Sequence, residues 1–283
     1  MNKEPMLFLV ATPIGNLEDM SYRAVRVLSS CDVIACEDTR QTAKLLNHYE
    51  IKGKLESYHQ HNMVEKGPKL IQMMLDGKTI ALVSDAGTPG ISDPGEELVK
   101  LAMVQGICMT MIPGPVAGIM GLVLSGLDAG SFVFEGFLPR AKKACQAKLE
   151  SLSAEQRTIV LYEAPHRLLK TLEALFQTLG NRRFAFAREL TKKFEETRQM
   201  TLEEGIALFQ EKTPKGEFVL IVEGKDIDLA TQEAERVWQE LSIQEHFAMH
   251  LSNDVARSEA MKLVAKERGL HKREVYSALI KKD

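Results

Sequence analysis

Along the first 116 residues, apolar positions follow two rhythms that take turns. Short apolar, β-branched runs at 6–11, 32–36, 54–58, 79–83 and 108–112 have the length and composition of strands. The run at 79–83, Thr-Ile-Ala-Leu-Val, has no polar face and reads as a strand buried on both sides. Between these runs, 21–30, 41–49, 65–76 and 96–105 carry apolar residues at helical spacing, with Tyr22, Val25 and Leu28 forming the expected stripe of the first. Strand and helix alternating in this way predict a parallel sheet covered by helices on both faces.

Past a Pro/Gly loop at 113–117 the texture changes. Residues 118–125, 141–152 and 168–179 read as helices, and 132–137, 158–162, 183–189, 195–200 and 217–222 as strands. Phe184 and Phe186 share one face of their run, as in a half-buried strand. Thr201 with Glu204 three residues on is a capping-box signature for a further helix. Fewer crossovers predict a mixed α+β second half. After Gly224 helix formers dominate, and 231–250, 254–268 and 272–281 read as helices, with Gly269 placed to end the second. The expected fold is α/β with two domains, 1–116 and 117–228, and a small helical region at 229–283.

Three loops follow strands of the first half: 12–19, 84–95 and 113–117. The second spans twelve residues with three Gly, two Pro and two Asp, longer than the usual 2–6 of a βα connection. At the carboxyl edge of a parallel sheet these loops would enclose one crevice. None contains Lys or Arg, and neither G-x-x-x-x-G-K-[ST] nor G-x-G-x-x-G follows the first strand, which disfavours a phosphate cradle. An acidic, carbonyl-rich crevice suits a cation instead. S-adenosylmethionine, with its sulfonium, ammonium and uncharged adenine, fits that description, and Asp85 is placed to accept hydrogen bonds from it.

Composition adds little until charge is divided along the chain. The net charge of −3 splits into +4 for residues 255–283 and −7 for the rest, so a basic tail on an acidic body suggests a local polyanion contact. No apolar run nears the ~20 residues of a membrane span, and no secretory signal precedes the first strand. Cys31, Cys36, Cys108 and Cys145 form no C-x-x-C pair and read as reduced thiols, so a cytoplasmic protein without a metal centre is expected. His59 and His61 would share a face if extended, with no third ligand at matching spacing, and a hydrogen-bonding role is expected of them. His246 and His250, four apart on a helix, read as surface residues.

Several stretches together resemble one family: 12–17 (Thr-Pro-Ile-Gly-Asn-Leu), 37–40 (Glu-Asp-Thr-Arg), the 84–95 loop, 113–115 (Pro-Gly-Pro), 162–167 (Tyr-Glu-Ala-Pro-His-Arg), 188–195 and 216–219. The sequence is similar to the tetrapyrrole-methylase superfamily, and within it to the enzymes that methylate a ribose 2′-hydroxyl of a decoding-region cytidine in 16S ribosomal RNA. The resemblance implies two α/β domains with S-adenosylmethionine in the cleft between them, commonly in a homodimer. It implies a cofactor site lined by Pro13, Asp85, Gly87, Thr88, Val116, Ala117, Tyr162 and Leu190, although Val116 stands where the family usually has a small polar side chain. For the chemistry, Glu37 or Glu189 is a candidate base, and Arg40, Arg188 or Lys192 a candidate phosphate clamp. Arg140, Lys142, Lys143, Arg182, Lys193 and the basic tail are further candidates for phosphate contact. A methylase of a tetrapyrrole precursor or a protein side chain, and a non-catalytic ribosome assembly factor, are the alternatives.

Overall fold

The structure is a computed structural model and describes residues 6–93, 95–226, 241–252 and 255–280. In the first half, β1 (Leu7–Val10), β2 (Val33–Cys36), β3 (Leu55–Ser57), β4 (Ile80–Val83) and β5 (Met109–Ile112) form a sheet in the order β3-β2-β4-β1-β5. Every pairing in it is parallel. Helices α1 (Tyr22–Ser30), α2 (Thr39–His48), α3 (Met63–Leu75) and α4 (Gly95–Val104) alternate with the strands. β2 and β4 are buried at all four positions, because both faces of the sheet are covered. One apolar cluster packs α3 and α4 against Leu9, Val33 and Leu82, and another packs α1 and α2 against Val10, Ile34 and Val83.

The expected stripe on α1 is corrected. Ser21 caps the helix by accepting from Ala24 N, and the face turned to the sheet is Ala24, Val27 and Leu28. Tyr22, the first residue inside the cap, is 98% exposed.

The second sheet has the order β6-β7-β10-β8-β9, built from β6 (Phe132–Phe137), β7 (Thr158–Glu163), β8 (Arg183–Arg188), β9 (Glu196–Thr201) and β10 (Phe218–Val222). β6 and β7 run parallel, and the other pairs are antiparallel. One face carries α6 (Lys142–Leu152), α7 (Leu168–Leu179) and α8 (Leu202–Glu211) over a core that includes Phe184, Phe186, Phe209 and Phe218. The other carries α5 (Ala117–Ser125) over Val160, Ala185, Ala187, Val219 and Ile221. The capping box at the start of α8 is present in both directions. Both sheets belong to one compact unit, residues 1–224.

Residues 225–283 cluster separately. Their described part contains α9 (Ile243–Ser252), α10 (Arg257–Glu267) and α11 (Lys272–Ile280), packed on Phe247, Ala260, Val264 and Val275. The helix expected over 231–250 lies outside the described residues for its first ten positions. The surface reading of His246 is overturned, since the side chain is fully buried. Its Nδ1 accepts from Arg268 Nε at 3.0 Å, and Glu267 Oε2 lies 2.9 Å from its Nε2 and 2.8 Å from His250 Nε2. Arg268 also donates to Leu241 O at 2.6 Å, so this member of the basic tail is spent on internal bonds.

Burial holds the His246 imidazole below its usual titration range, with Arg268 and His250 acting the same way and Glu267 against them. The unfolded chain therefore binds a proton that the folded unit refuses, and stability falls as pH drops through about 6.5, the ordinary histidine value. We expect the protection of amides in 243–252 and 255–280, after correction for the intrinsic rate (which itself slows with falling pH), to drop between pH 7.5 and 5.5. His246→Gln should flatten that dependence. An unchanged dependence in the variant would remove His246 as its source.

Candidate active site

β1 and β4 are neighbours whose following helices leave in opposite directions along the sheet, the place where open α/β sheets form a crevice. The strand-end loops are stitched together there. Thr12 and Gly87 exchange backbone hydrogen bonds at 2.8 and 3.0 Å, and Thr12 Oγ1 donates to Ser84 O at 3.1 Å. Thr88 Oγ1 donates to Pro115 O at 3.2 Å, which brings in the third loop. Asp85 Oδ1 accepts from Asp38 N at 3.0 Å and so joins the end of β2.

The second half closes the crevice from the other side. Asn16 N donates to Thr191 Oγ1 at 3.0 Å. Gly15 lies so close to the same loop that a Cβ there would come within 2.4 Å of Lys192 Cγ and 3.0 Å of Leu190 O. Glu189 and Thr191 hold left-handed backbone (φ 51 and 66), unfavourable for residues with a side chain, in a segment lining the cleft. Lys192 Nζ reaches Glu189 Oε1 at 3.1 Å.

The result is a cavity of 340 Å³ between the two sheets. It brings together Glu37, Glu189 and Lys192 with Asp85, Gly87, Thr88, Val116, Ala117, Tyr162 and Leu190. Pro13, Arg40 and Arg188 were expected here and are not on its wall. Ile14 lines it where Pro13 was expected, and Arg40, 87% exposed along its side chain, is forked onto Asp38 at 2.9 Å. Val116 precedes α5 with no side-chain cap, as its aliphatic side chain dictates. Tyr162 instead accepts the Gly118 N–H at 3.0 Å, and burial pushes its phenol up.

Sequence reasoning missed Asp93, Glu163, Glu217 and Phe137, which also line the cavity. Glu163 closes β7 and is fully buried, accepting from Thr171 Oγ1 at 2.5 Å and Ala164 N at 2.8 Å. Its strand-end position beside Tyr162 was the available signal. Asp93 Oδ1 accepts from Gly90 N at 2.8 Å and Gly95 N at 2.7 Å, folding the long loop onto itself. Burial pushes the Asp93 carboxyl up, and the two amides pull it down. Glu37 is also pushed up, first by burial and then by Asp85 and Asp93, with His59 opposing.

Other candidates fall elsewhere. Arg182 is half-buried and donates to the carbonyls of Leu179, Ser153 and Glu223, so it is a structural tie with no free face for phosphate. Arg188 pairs with Glu196 at 2.7 Å. The strand before His59 ends at Ser57, so His59 and His61 sit in a turn, with the His59 ring 3.2 Å from Asn62 Nδ2.

Six carboxylates and one lysine of the described residues face this cavity, among apolar Ile14, Ala187, Leu190 and Val219. That composition accepts a cation with an apolar body and repels phosphate. The model of the tetrapyrrole (corrin/porphyrin) methylases matches residues 6–205. The chain belongs to that family. A protein named ribosomal RNA small subunit methyltransferase I from Halalkalibacterium halodurans is 49% identical over 96% of this chain and 93% of its own length. The Bacillus subtilis protein of the same name is 48% identical over the same shares. Solved structures share the fold at low identity. The methyltransferase CobJ gives a TM-score of 0.60 at 15% identity over 78% of this chain and 95% of its own. Diphthine synthase gives 0.59 at 13% over 77% and 89%.

The close approach at Gly15 yields a test. Gly15→Ala should lower stability by about 1–3 kcal/mol in urea unfolding, because the new methyl meets backbone as well as a side chain. Stability equal to that of the parent would mean that the two loops are free to part.

Proposed function

We propose that the protein transfers a methyl group from S-adenosylmethionine to a ribose 2′-hydroxyl of 16S ribosomal RNA in the small subunit. The observation that carries this reading is the acidic cavity where the strand-end loops of the parallel sheet meet the second sheet. The names of the relatives at 48–49% identity support RNA as the acceptor. Bound in the cavity, S-adenosylmethionine supplies an electrophilic methyl on a sulfonium.

The chain's own residues supply placement and a proton acceptor. Asp85 is the anionic anchor, backbone at Gly87, Thr88 and Ala117 offers polar contacts, and Leu190 and Tyr162 supply apolar wall. In-line alignment of hydroxyl and methyl contributes most of the rate. Between the two candidate bases, we favour Glu37. It makes no hydrogen bond among the described residues, and its raised carboxyl is the better proton acceptor. Glu189 is held by Lys192, and we assign that pair to positioning. We assign Arg40, exposed and paired with Asp38, to a phosphate of the substrate.

Glu37→Gln should lower kcat about 10²–10⁴-fold on small subunits lacking the modification and remove the acidic limb of the pH profile. The KM for both substrates should stay near that of the parent. Retained kcat in Glu37→Gln with loss in Glu189→Gln would reverse the assignment. No labelled ribose methyl on any subunit would defeat the proposed function.

We also propose a homodimer through α5, whose Ile119, Val123 and Leu124 are exposed although the helix is apolar all round. Sedimentation equilibrium should give a dimer for the parent chain and a monomer for Val123→Asp. A monomeric parent would reject this arrangement.

A further inference from the structure

β6 carries a bulge, and its consequence is chemical. Phe132, Val133 and Phe134 pair in sequence with Thr158, Ile159 and Val160 of β7, but the next partner of Leu161 is Gly136. Glu135 is the extra residue. Without it, Phe137 would stand opposite Glu163, one register position further on. With it, Phe137 stands opposite Tyr162 and shares that residue's face of the sheet. The bulge thus moves an aromatic ring from the face covered by α6, α7 and α8 to the α5 face, where it lines the cavity. Gly136 makes this possible with φ 59, in space where a Cβ would come within 3.0 Å of Ser92 Oγ.

The ring so placed is not used up by packing. Phe137 lines the cavity yet is 54% exposed, held at one edge by Tyr162 with centroids 5.6 Å apart. Phe134 braces Tyr162 at 5.1 Å, so the platform rests on fixed neighbours. Directly after it in the chain come Arg140, Lys142 and Lys143, all exposed and in no ion pair among the described residues. An acidic interior, an open aromatic face and a cationic rim sort the parts of a nucleotide. Phosphates are repelled from the cavity and attracted by the rim, and a base finds a π-face between them.

We infer that Phe137 is the platform on which a substrate nucleobase stacks while its ribose enters the cavity, with Arg140, Lys142 and Lys143 holding neighbouring phosphates. This rests on the RNA acceptor proposed above. A base splayed out of its helix recovers on such a ring part of the stacking it gives up.

The test uses the full chain, labelled S-adenosylmethionine, and small ribosomal subunits from cells lacking the gene. Phe137→Ala should raise the KM for the subunit about tenfold or more. Its cofactor affinity in calorimetry should stay within about twofold, which also shows that the variant folds. Phe137→Trp should restore the KM, whereas Phe137→Leu, apolar without a π-face, should not. Replacing Arg140, Lys142 and Lys143 by Gln should flatten the salt dependence of subunit binding by about 0.7–0.9 log units per log salt for each phosphate no longer neutralised. An unchanged KM in Phe137→Ala, full activity in Phe137→Leu, or a loss of cofactor affinity in Phe137→Ala (the ring then lying under the adenine) would each overturn the inference. Those results arise with an active parent enzyme, whereas a parent that methylates no subunit would strike at the proposed function first.

Discussion

A single threonine hydroxyl and a two-residue bridge hold the site in register. Thr12 is buried just past the end of β1, pairs with Gly87 through backbone in both directions, and sends its hydroxyl to Ser84. Ser84 Oγ donates to the same Gly87 carbonyl at 3.0 Å, so the long loop after β4 starts from a fixed point. Every other feature of the crevice hangs from this lock. Asp85 reaches β2 from it, Thr88 reaches the β5 loop, and the loop of Ile14 to Asn16 is held out toward the second sheet. Parallel strands make such a lock possible, because their carboxyl ends lie along one edge.

The second consequence is electrostatic. Carboxylates gathered from both halves make a cavity whose field favours a cation, and their mutual repulsion raises Glu37 further than burial alone. Lys192 is the single cation on the wall among the described residues, tied to Glu189 on a backbone in the left-handed region. The contact between Gly15 and the 190–192 segment sets how near these opposing groups come. Geometry at the junction and charge in the cavity are therefore one problem with one solution.

Much of this was readable in the chain. The alternation of β-branched runs and helical stripes in the first half, and the unbroken apolar β4, correspond to the observed parallel sheet. Phe184 and Phe186 do share a buried face, although β8 is not the half-buried strand expected, since Ala185 and Ala187 on its other face are covered by α5, and Thr201 with Glu204 does cap α8. The misreadings have a common cause. Tyr22 continues a helical stripe in sequence, but the cap at Ser21 decides which stripe meets the sheet. His246 is polar and four residues from another histidine, yet Arg268 and Glu267, distant in sequence, supply the partners that let it be buried. Arg182 carries the same charge as a phosphate contact and spends it on carbonyls from three segments.

Local pattern determined the elements, the class of each half and the loops that matter, because strand and helix impose their own periods on apolar residues and loops advertise themselves by Gly, Pro and Asp. Which side chains face one another across the crevice was decided only on folding. Pro13 gave its place on the wall to Ile14, and a single bulged residue carried Phe137 from one face of its strand to the other. A shift of one residue reverses every side chain beyond it, and the neighbour that leaves no room for a side chain at Gly136 is Ser92, far away in the chain.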